Sequence, residues 1–263
     1  MITRRALLGC LLAVVLALSA TASLAAPPRR ITIAAAADLH AALDAVIADY
    51  QRAHPRDRIE VTYGSSGKLL AQIEQGAPFE LFFSADSAYP QQLVEHHGAA
   101  GVPVPYALGR IVLWSASLDA SRLTLADLAR PQFDRIAIAN PQHAPYGQRA
   151  EQALRAAGVW EAVQPRLVYG DNIAQTAQFV ASGNAQVGII AQSLALDPQM
   201  ASKGSYAVIP ATLYQPLLQS FVLTRRGAGN ALALEFADYM QGAAARAVLQ
   251  RYGFALPAAA TRR

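Results

Sequence analysis

Ile31-Thr32-Ile33-Ala34-Ala35 is a short apolar run; Leu43, Val46, Ile47 and Tyr50 follow it at i, i+3, i+4 and i+7; and Ile59-Glu60-Val61-Thr62-Tyr63 resumes an extended pattern. The period changes from about two to 3.6 and back, as a strand, an amphipathic helix and a second strand require. Gly64-Ser65-Ser66-Gly67 then turns the chain into another helical stretch ending at Gly76-Ala77-Pro78, and residues 81–84 make a third, wholly apolar strand. Strand and helix alternating at this spacing form βαβ units around a parallel sheet.

The alternation continues outward from that unit. A helix is expected from residue 87 to about 97, and the stretch 102–106, with Pro103 and Pro105, reads as a break. Strands are expected at 110–114, 135–139, 166–169 and 187–191, with helices near 146–157 and 172–181 between them. A return strand at 220–224 follows Pro216, and helices at 228–240 and 243–251 end the chain. The expected fold class is α/β with two lobes, each a mostly parallel sheet flanked by helices, and the chain crossing between them twice. Lobe 1 is expected at 27–106 plus 216–263, and lobe 2 at 107–215.

Composition narrows the function. Charged residues are 15% of the 263 and the formal net charge is +4, against roughly 25% charged in ordinary soluble domains. The basic residues include only two lysines, Lys68 and Lys203, and the arginines are scattered. Neither a disordered chain nor an electrostatically driven nucleic-acid binder fits. Residues 1–25 read as an export signal: Arg4 and Arg5, an apolar run from Ala6 to Ala20, then Ser23-Leu24-Ala25 as a small-x-small cleavage site. An uncleaved anchor is the alternative, since no charge lies between Ala6 and Pro28. Thr3-Arg4-Arg5 loosely fits twin-arginine export, but the Sec route is expected; Leu7-Leu8-Gly9-Cys10 resembles a lipoprotein box placed too early. Cys10 is the single cysteine, so the mature chain has neither a disulfide nor a thiolate metal site.

In open α/β sheets ligands sit beyond the carboxyl ends of the strands, where the next helices point their N-termini. Four such turns stand out: Ala36-Ala37-Asp38, Gly64-Ser65-Ser66-Gly67, Ala144-Pro145-Tyr146-Gly147 and Gly170-Asp171-Asn172-Ile173, two from each lobe. Unpaired N–H groups converging there would bind an anion without lysine or arginine. Each turn also has a plainer reading. Asp38 and Asp171-Asn172 are good cap residues, the serines could form an ordinary polar loop, and Tyr146 could be packing. Lys68 follows the glycines, but the G-x-x-x-x-G-K-[ST] spacing is absent, which argues against a nucleotide. The histidines at 40, 54, 96, 97 and 143 have no metal-binding spacing, and no serine sits in a G-x-S-x-G elbow. A hydrolase pairing His143 with Ser66 or Asp38 remains a weaker alternative.

At these turns the chain resembles the periplasmic molybdate-binding proteins, the substrate-binding components of molybdate ABC transporters. The resemblance runs through Ala34–Leu39, Gly64–Leu69, Gln72–Asp86, Asn140–Gly147 and Arg251-Tyr252-Gly253-Phe254, nearly the whole mature chain. It implies a type II periplasmic binding protein fold that closes on molybdate or tungstate, has no cofactor and no catalytic residue, and hands its ligand to an inner-membrane ABC permease as a periplasmic monomer. A sulfate- or phosphate-type oxyanion binder is the nearest alternative.

By the same resemblance the oxyanion-binding residues are Ala37, Asp38, Ser66, Tyr146 and Ile173. Ser66 is expected to donate both hydroxyl and amide, and Tyr146 and Ile173 their amides. Asp38 departs from relatives with a hydroxyl there; a carboxylate facing a dianion is repelled by roughly 4 kcal/mol per unit charge pair at 4 Å and an effective dielectric of 20. Its side chain is therefore expected to turn away and cap the helix, or to be protonated. Some members carry a tyrosine where this chain has Ala191, and the Tyr146 hydroxyl is expected to replace that donor.

Overall fold

A computed structural model describes residues 28–257; the expected leader lies outside them. Ten strands form two sheets of five. The first contains β1 (Arg30–Ala36), β2 (Arg58–Gly64), β3 (Leu81–Ser84), β4 (Val104–Gly109) and β10 (Leu217–Leu223), in the order β2-β1-β3-β10-β4. The second contains β5 (Ile111–Ser115), β6 (Ile136–Ala139), β7 (Leu167–Gly170), β8 (Val187–Ala191) and β9 (Ser205–Val208), in the order β7-β6-β8-β5-β9. Both sheets share one pattern: a parallel trio, then a reversed strand, β10 or β5, then an edge strand antiparallel to it. The chain passes between the sheets twice, from β4 directly into β5 and from β9 into β10.

Seven helices of eight residues or more flank the sheets among the described residues: α1 (His40–Ala53), α2 (Ser66–Glu74), α3 (Ala88–Glu95), α4 (Pro145–Ala156), α5 (Ile173–Ala181), α6 (Ala231–Gln241) and α7 (Ala243–Arg251). Alternation in β1 sorts its side chains. Ile31, Ile33 and Ala35 join Leu43, Val46, Ile47 and Tyr50 of α1 and Phe236 of α6 in one core, while Ala34 faces Leu69, Leu70 and Phe82 on the other side of the sheet. The core of the second sheet reaches across the cleft to Ala36, Ala37 and Ala85, small residues that let the two lobes approach closely.

Three expectations need correction. Residues 102–106 are not simply a break, since β4 begins at Val104. Pro105 is tolerated because the ladder with β10 shifts register between Gln219 and Ser220, and at such a bulge on an edge strand a missing N–H leaves no bond unmade. The short edge strand β9 went unread because Ser205–Val208 carries no clear apolar alternation. The helix expected from 228 starts at Ala231, where the Asn230 side chain accepts the amides of Leu232 and Ala233; a 3-10 turn, Gly227–Gly229, occupies the residues before it.

Candidate functional site

Four chain segments meet in one small cavity between the sheets. From the first sheet come the end of β1 with Ala37 and Asp38, and Ser65 and Ser66 at the start of α2; from the second come Ala144, Pro145 and Tyr146 at the start of α4, and Ile173 at the start of α5. Ala37 and Asp38 lie in a 3-10 turn, Ala37–Leu39, leading into α1 rather than in the helix itself. All five residues singled out from the sequence thus line the same cavity, with Ala36, Gly64 and Ala85 completing the wall. Two larger grooves, around Tyr63 and around Arg226, bring no helix N-termini together.

The local sequence explains the shape. Ser65 is extended and starts α2, so the amides of the first turn are left without intrahelical partners. Pro145 occupies the first turn of α4, where its missing N–H costs nothing. Asn172 caps α5 by accepting from the Gln175 amide 3.0 Å away, which leaves the Ile173 end facing the cavity. The Ser66 hydroxyl oxygen accepts the Ala85 amide at 3.0 Å, and its own proton has no acceptor among the described residues. No lysine, arginine or histidine lines the wall, and Asp38 is its one ionisable carboxyl group.

Asp38 does not cap its turn. Its Oδ2 accepts from the Tyr146 hydroxyl at 2.9 Å and from Gln219 Nε2 at 2.7 Å, while Oδ1 is buried with no partner. This corrects two expectations at once. The carboxylate turns toward Tyr146 of the second lobe and Gln219 of the first sheet rather than capping its own turn, and the single Tyr146 hydroxyl proton is engaged by Asp38, so only the backbone of Tyr146 is left to face a ligand. Gln219 also reaches the Tyr146 oxygen at 3.1 Å and accepts from the Tyr106 hydroxyl at 2.7 Å, and the Ser193 hydroxyl donates to the Asp38 carbonyl at 2.8 Å. Burial pushes the Asp38 carboxyl up to about 6, partly opposed by Gln219, by Tyr146 and by the residue's own backbone amide. Burial, followed by the nearby Asp38, holds the hydroxyls of Tyr106 and Tyr146 well above the ordinary range.

Gln219 and Tyr106 escaped the sequence reading. A signal for Gln219 exists, because in Leu217–Leu223 it shares the face of Leu217 and Phe221, and a glutamine on a buried strand face needs partners. Tyr106 lay inside the stretch taken as a break.

At the cavity mouth Ser65 Oγ meets His143 Nδ1 at 2.9 Å, the Gly67 amide donates to the His143 carbonyl at 3.0 Å, and Lys68 pairs with Asp171. Deeper between the lobes, the largely buried Arg149 pairs with Asp86. Ser66 and His143 are not bonded to each other. The serine that does meet His143 is Ser65, and Asp171 stands 3.9 Å from His143 Nε2 while paired with Lys68. Burial, then Lys68, lower the His143 pKa, with Asp171 opposing. At 3.9 Å Asp171 is beyond hydrogen-bonding distance of His143, so Ser65, His143 and Asp171 are not hydrogen-bonded in series. Among the described residues no helix is long and apolar enough to cross a membrane, and no group of three or more metal-ligating side chains occurs.

Two α/β lobes joined by two crossings, closed over a cavity lined by helix starts from both lobes, define a bacterial solute-binding protein. The family described as Bacterial extracellular solute-binding protein matches residues 31–255. The chain belongs to that family and, within it, to the molybdate-binding ModA proteins. It is 36% identical over 233 residues to molybdate-binding protein ModA of Azotobacter vinelandii, covering 88% of this chain and 92% of that one. It is 37% identical over 198 residues to ModA of Rhodobacter capsulatus, covering 74% and 77%. The solved structure of the Azotobacter vinelandii periplasmic molybdate-binding protein superposes with a TM-score of 0.81 at 32% identity, covering 87% of this chain and all of that one. These relatives are binding proteins.

Proposed function

We propose that this protein captures molybdate or tungstate in the cleft between its lobes and delivers it to an inner-membrane ABC permease. In this reading residues 1–25 are removed on export, the two lobes expected at 27–106 with 216–263 and at 107–215 move as bodies, with residues 107–109 going with the first because β4 runs to Gly109 in its sheet, and the protein acts as a periplasmic monomer without cofactor or catalysis. The observation that carries it is the cavity lined by the first turns of helices from both lobes, with one uncommitted hydroxyl, on Ser66. Hydrogen bonds to a charged partner contribute about 1.5–3 kcal/mol each, so several of them offset stripping water from a dianion. Because the donors come from both lobes, a bound oxyanion favours the closed arrangement and presents one composite surface to the permease.

Neutral donors favour an oxyanion with no proton to give, and backbone amides on fixed helices discriminate by size more rigidly than a lysine would. Thermal melting with each oxyanion tests this. Molybdate and tungstate should raise the midpoint, since a ligand confined to the folded state stabilises it by RT ln(1 + [L]/Kd), and sulfate should do so far less. A larger shift with sulfate would sink the assignment. Ser66→Ala should weaken molybdate binding about 10- to 100-fold by calorimetry, the loss of one charge-assisted hydrogen bond; wild-type affinity would remove Ser66 from the site. One observation favours a second reading. The unpartnered Oδ1 of Asp38 is an acceptor, and an acceptor suits a protonated oxyanion such as hydrogenphosphate; a larger thermal shift with phosphate than with molybdate would establish that alternative.

A further inference from the structure

Asp38 is a fully buried carboxyl group in the wall of a cavity built for an anion, and electrostatics alone would exclude it from that place. Its two oxygens are not equivalent. Oδ2 receives donors from two elements, the Tyr146 hydroxyl on α4 and the Gln219 amide on β10, so a proton there would collide with both. Gln219 is held in that orientation because its own carbonyl oxygen accepts from Tyr106 on β4. Oδ1 accepts nothing, and it is the oxygen able to carry a proton. A buried oxygen without a partner is disfavoured unless something fills the gap, and because Asp38 lines the cavity an oxygen of a bound ligand is a group that can fill it.

We propose that Asp38 binds the oxyanion as a neutral carboxylic acid, with its proton on Oδ1 donated to a ligand oxygen, so that capture of a fully deprotonated dianion takes up one proton from solvent. The balance is one carboxylate, one dianion and one proton entering, and one neutral acid hydrogen-bonded to one dianion remaining. The proposal rests on the oxyanion-binding reading above and adds the residue that couples affinity to pH. The groups at the Asp38 carboxyl are the Tyr146 hydroxyl, the Gln219 amide and the residue's own backbone amide, with Tyr106 behind Gln219 and the Ser193 hydroxyl on the Asp38 carbonyl, none charged at neutral pH. His143, Lys68 and Asp171 are engaged with Ser65 and with one another at the cavity mouth, and Arg149 is paired with Asp86. Burial already raises this carboxyl above the usual carboxylate range in the free protein, in the direction proton uptake requires.

Calorimetric titration of the mature protein with sodium molybdate, in buffers of different ionisation enthalpy at pH 8, measures the proton count directly. Wild type should take up about one proton per molybdate, and its apparent Kd should weaken about tenfold per pH unit, roughly 100-fold from pH 7 to pH 9, where molybdate itself does not titrate. Asp38→Asn, whose amide donates without a proton from solvent, should show neither the uptake nor the slope. Molybdate binding by wild type without proton uptake, or an equal pH slope in both proteins, overturns the proposal alone. If Asp38→Asn binds no molybdate, the wild-type proton count decides. Failure of wild type to bind molybdate even at pH 6 overturns the oxyanion reading and this proposal together.

Discussion

Asp38→Asn should make the ligand-free protein more stable at pH 7.5, with a midpoint of thermal unfolding higher by about 6–12 °C, and should change it far less at pH 4. The carboxyl moves from an ordinary 3.8 to about 6 on folding because it is stripped of water, and it is fully buried, so solvent screening does not reduce the effect. The sign follows from which state holds the proton. Below 3.8 both folded and unfolded chains are protonated and Asp38 carries no ionisation penalty. Between 3.8 and about 6 the unfolded chain gives up its proton while the folded one keeps it, so stability falls as pH rises, and above about 6 it levels off. The whole drop is about 3 kcal/mol, and each kcal/mol moves the midpoint by about 2–4 °C in a chain of this length. Comparing the two proteins at both pH values cancels any packing change the amide introduces. Equal differences at pH 4 and pH 7.5 would show that folding does not raise the Asp38 pKa. A wild-type chain that keeps a destabilising carboxyl is giving up stability at its ligand cavity, a common place for such a compromise.

Gly67→Val should lower molybdate affinity by about 100-fold while both lobes stay folded. Gly67 lies in the first turn of α2, on the lobe of the first sheet, and a Cβ built on it would stand 2.8 Å from the carbonyl oxygen and 3.1 Å from the Cα of His143 on the other lobe. These are backbone atoms, so no rotamer change relieves the clash, and the lobes themselves must separate. Overpacking of this kind costs about 1–3 kcal/mol, and valine adds two methyl groups beyond the Cβ. That energy falls on the closed state alone, and apparent affinity drops by the fraction of molecules able to close. The helix does not suffer, since valine is a better helix former than glycine. Calorimetry should show the loss of affinity, and small-angle scattering with saturating molybdate should show a larger radius of gyration than wild type. Wild-type affinity would mean that the lobes need not meet at His143 for the ligand to be held.

The helices and buried strands were legible because their periods are strong. The strand at 187–191 and the helix at 243–251 lie where the pattern put them, and 81–84 reads as a buried strand from its apolar run alone. What escaped were two of the four edge strands, for reasons of local chemistry: β4 carries a proline that only the bulge beside it makes acceptable, and β9 is half exposed on both faces. The cavity was legible to the extent that turns after parallel strands share one side of a sheet, which is enough to bring Ala37, Asp38, Ser66, Tyr146 and Ile173 together. The partners of Asp38 were not legible, because Tyr146 and Gln219 lie 108 and 181 residues away, and local pattern carries no information on which buried donor will meet a carboxylate.

The shared strand order of the two sheets hides a difference in how each is assembled. The second sheet is drawn from one continuous stretch, Ile111 to Val208, so all its strands are present once that stretch has been made. The first is not: β10, which joins β3 to β4, comes from Leu217–Leu223, more than a hundred residues after β4. Its two halves have no ladder between them until the chain is nearly complete, and α6 and α7, which cover one face, come later still. Folding order is therefore built into connectivity, with the inserted lobe able to form during synthesis and the split lobe waiting for the end. A chain cut before Leu217 would retain every strand of the second sheet and lose the one that holds the first together.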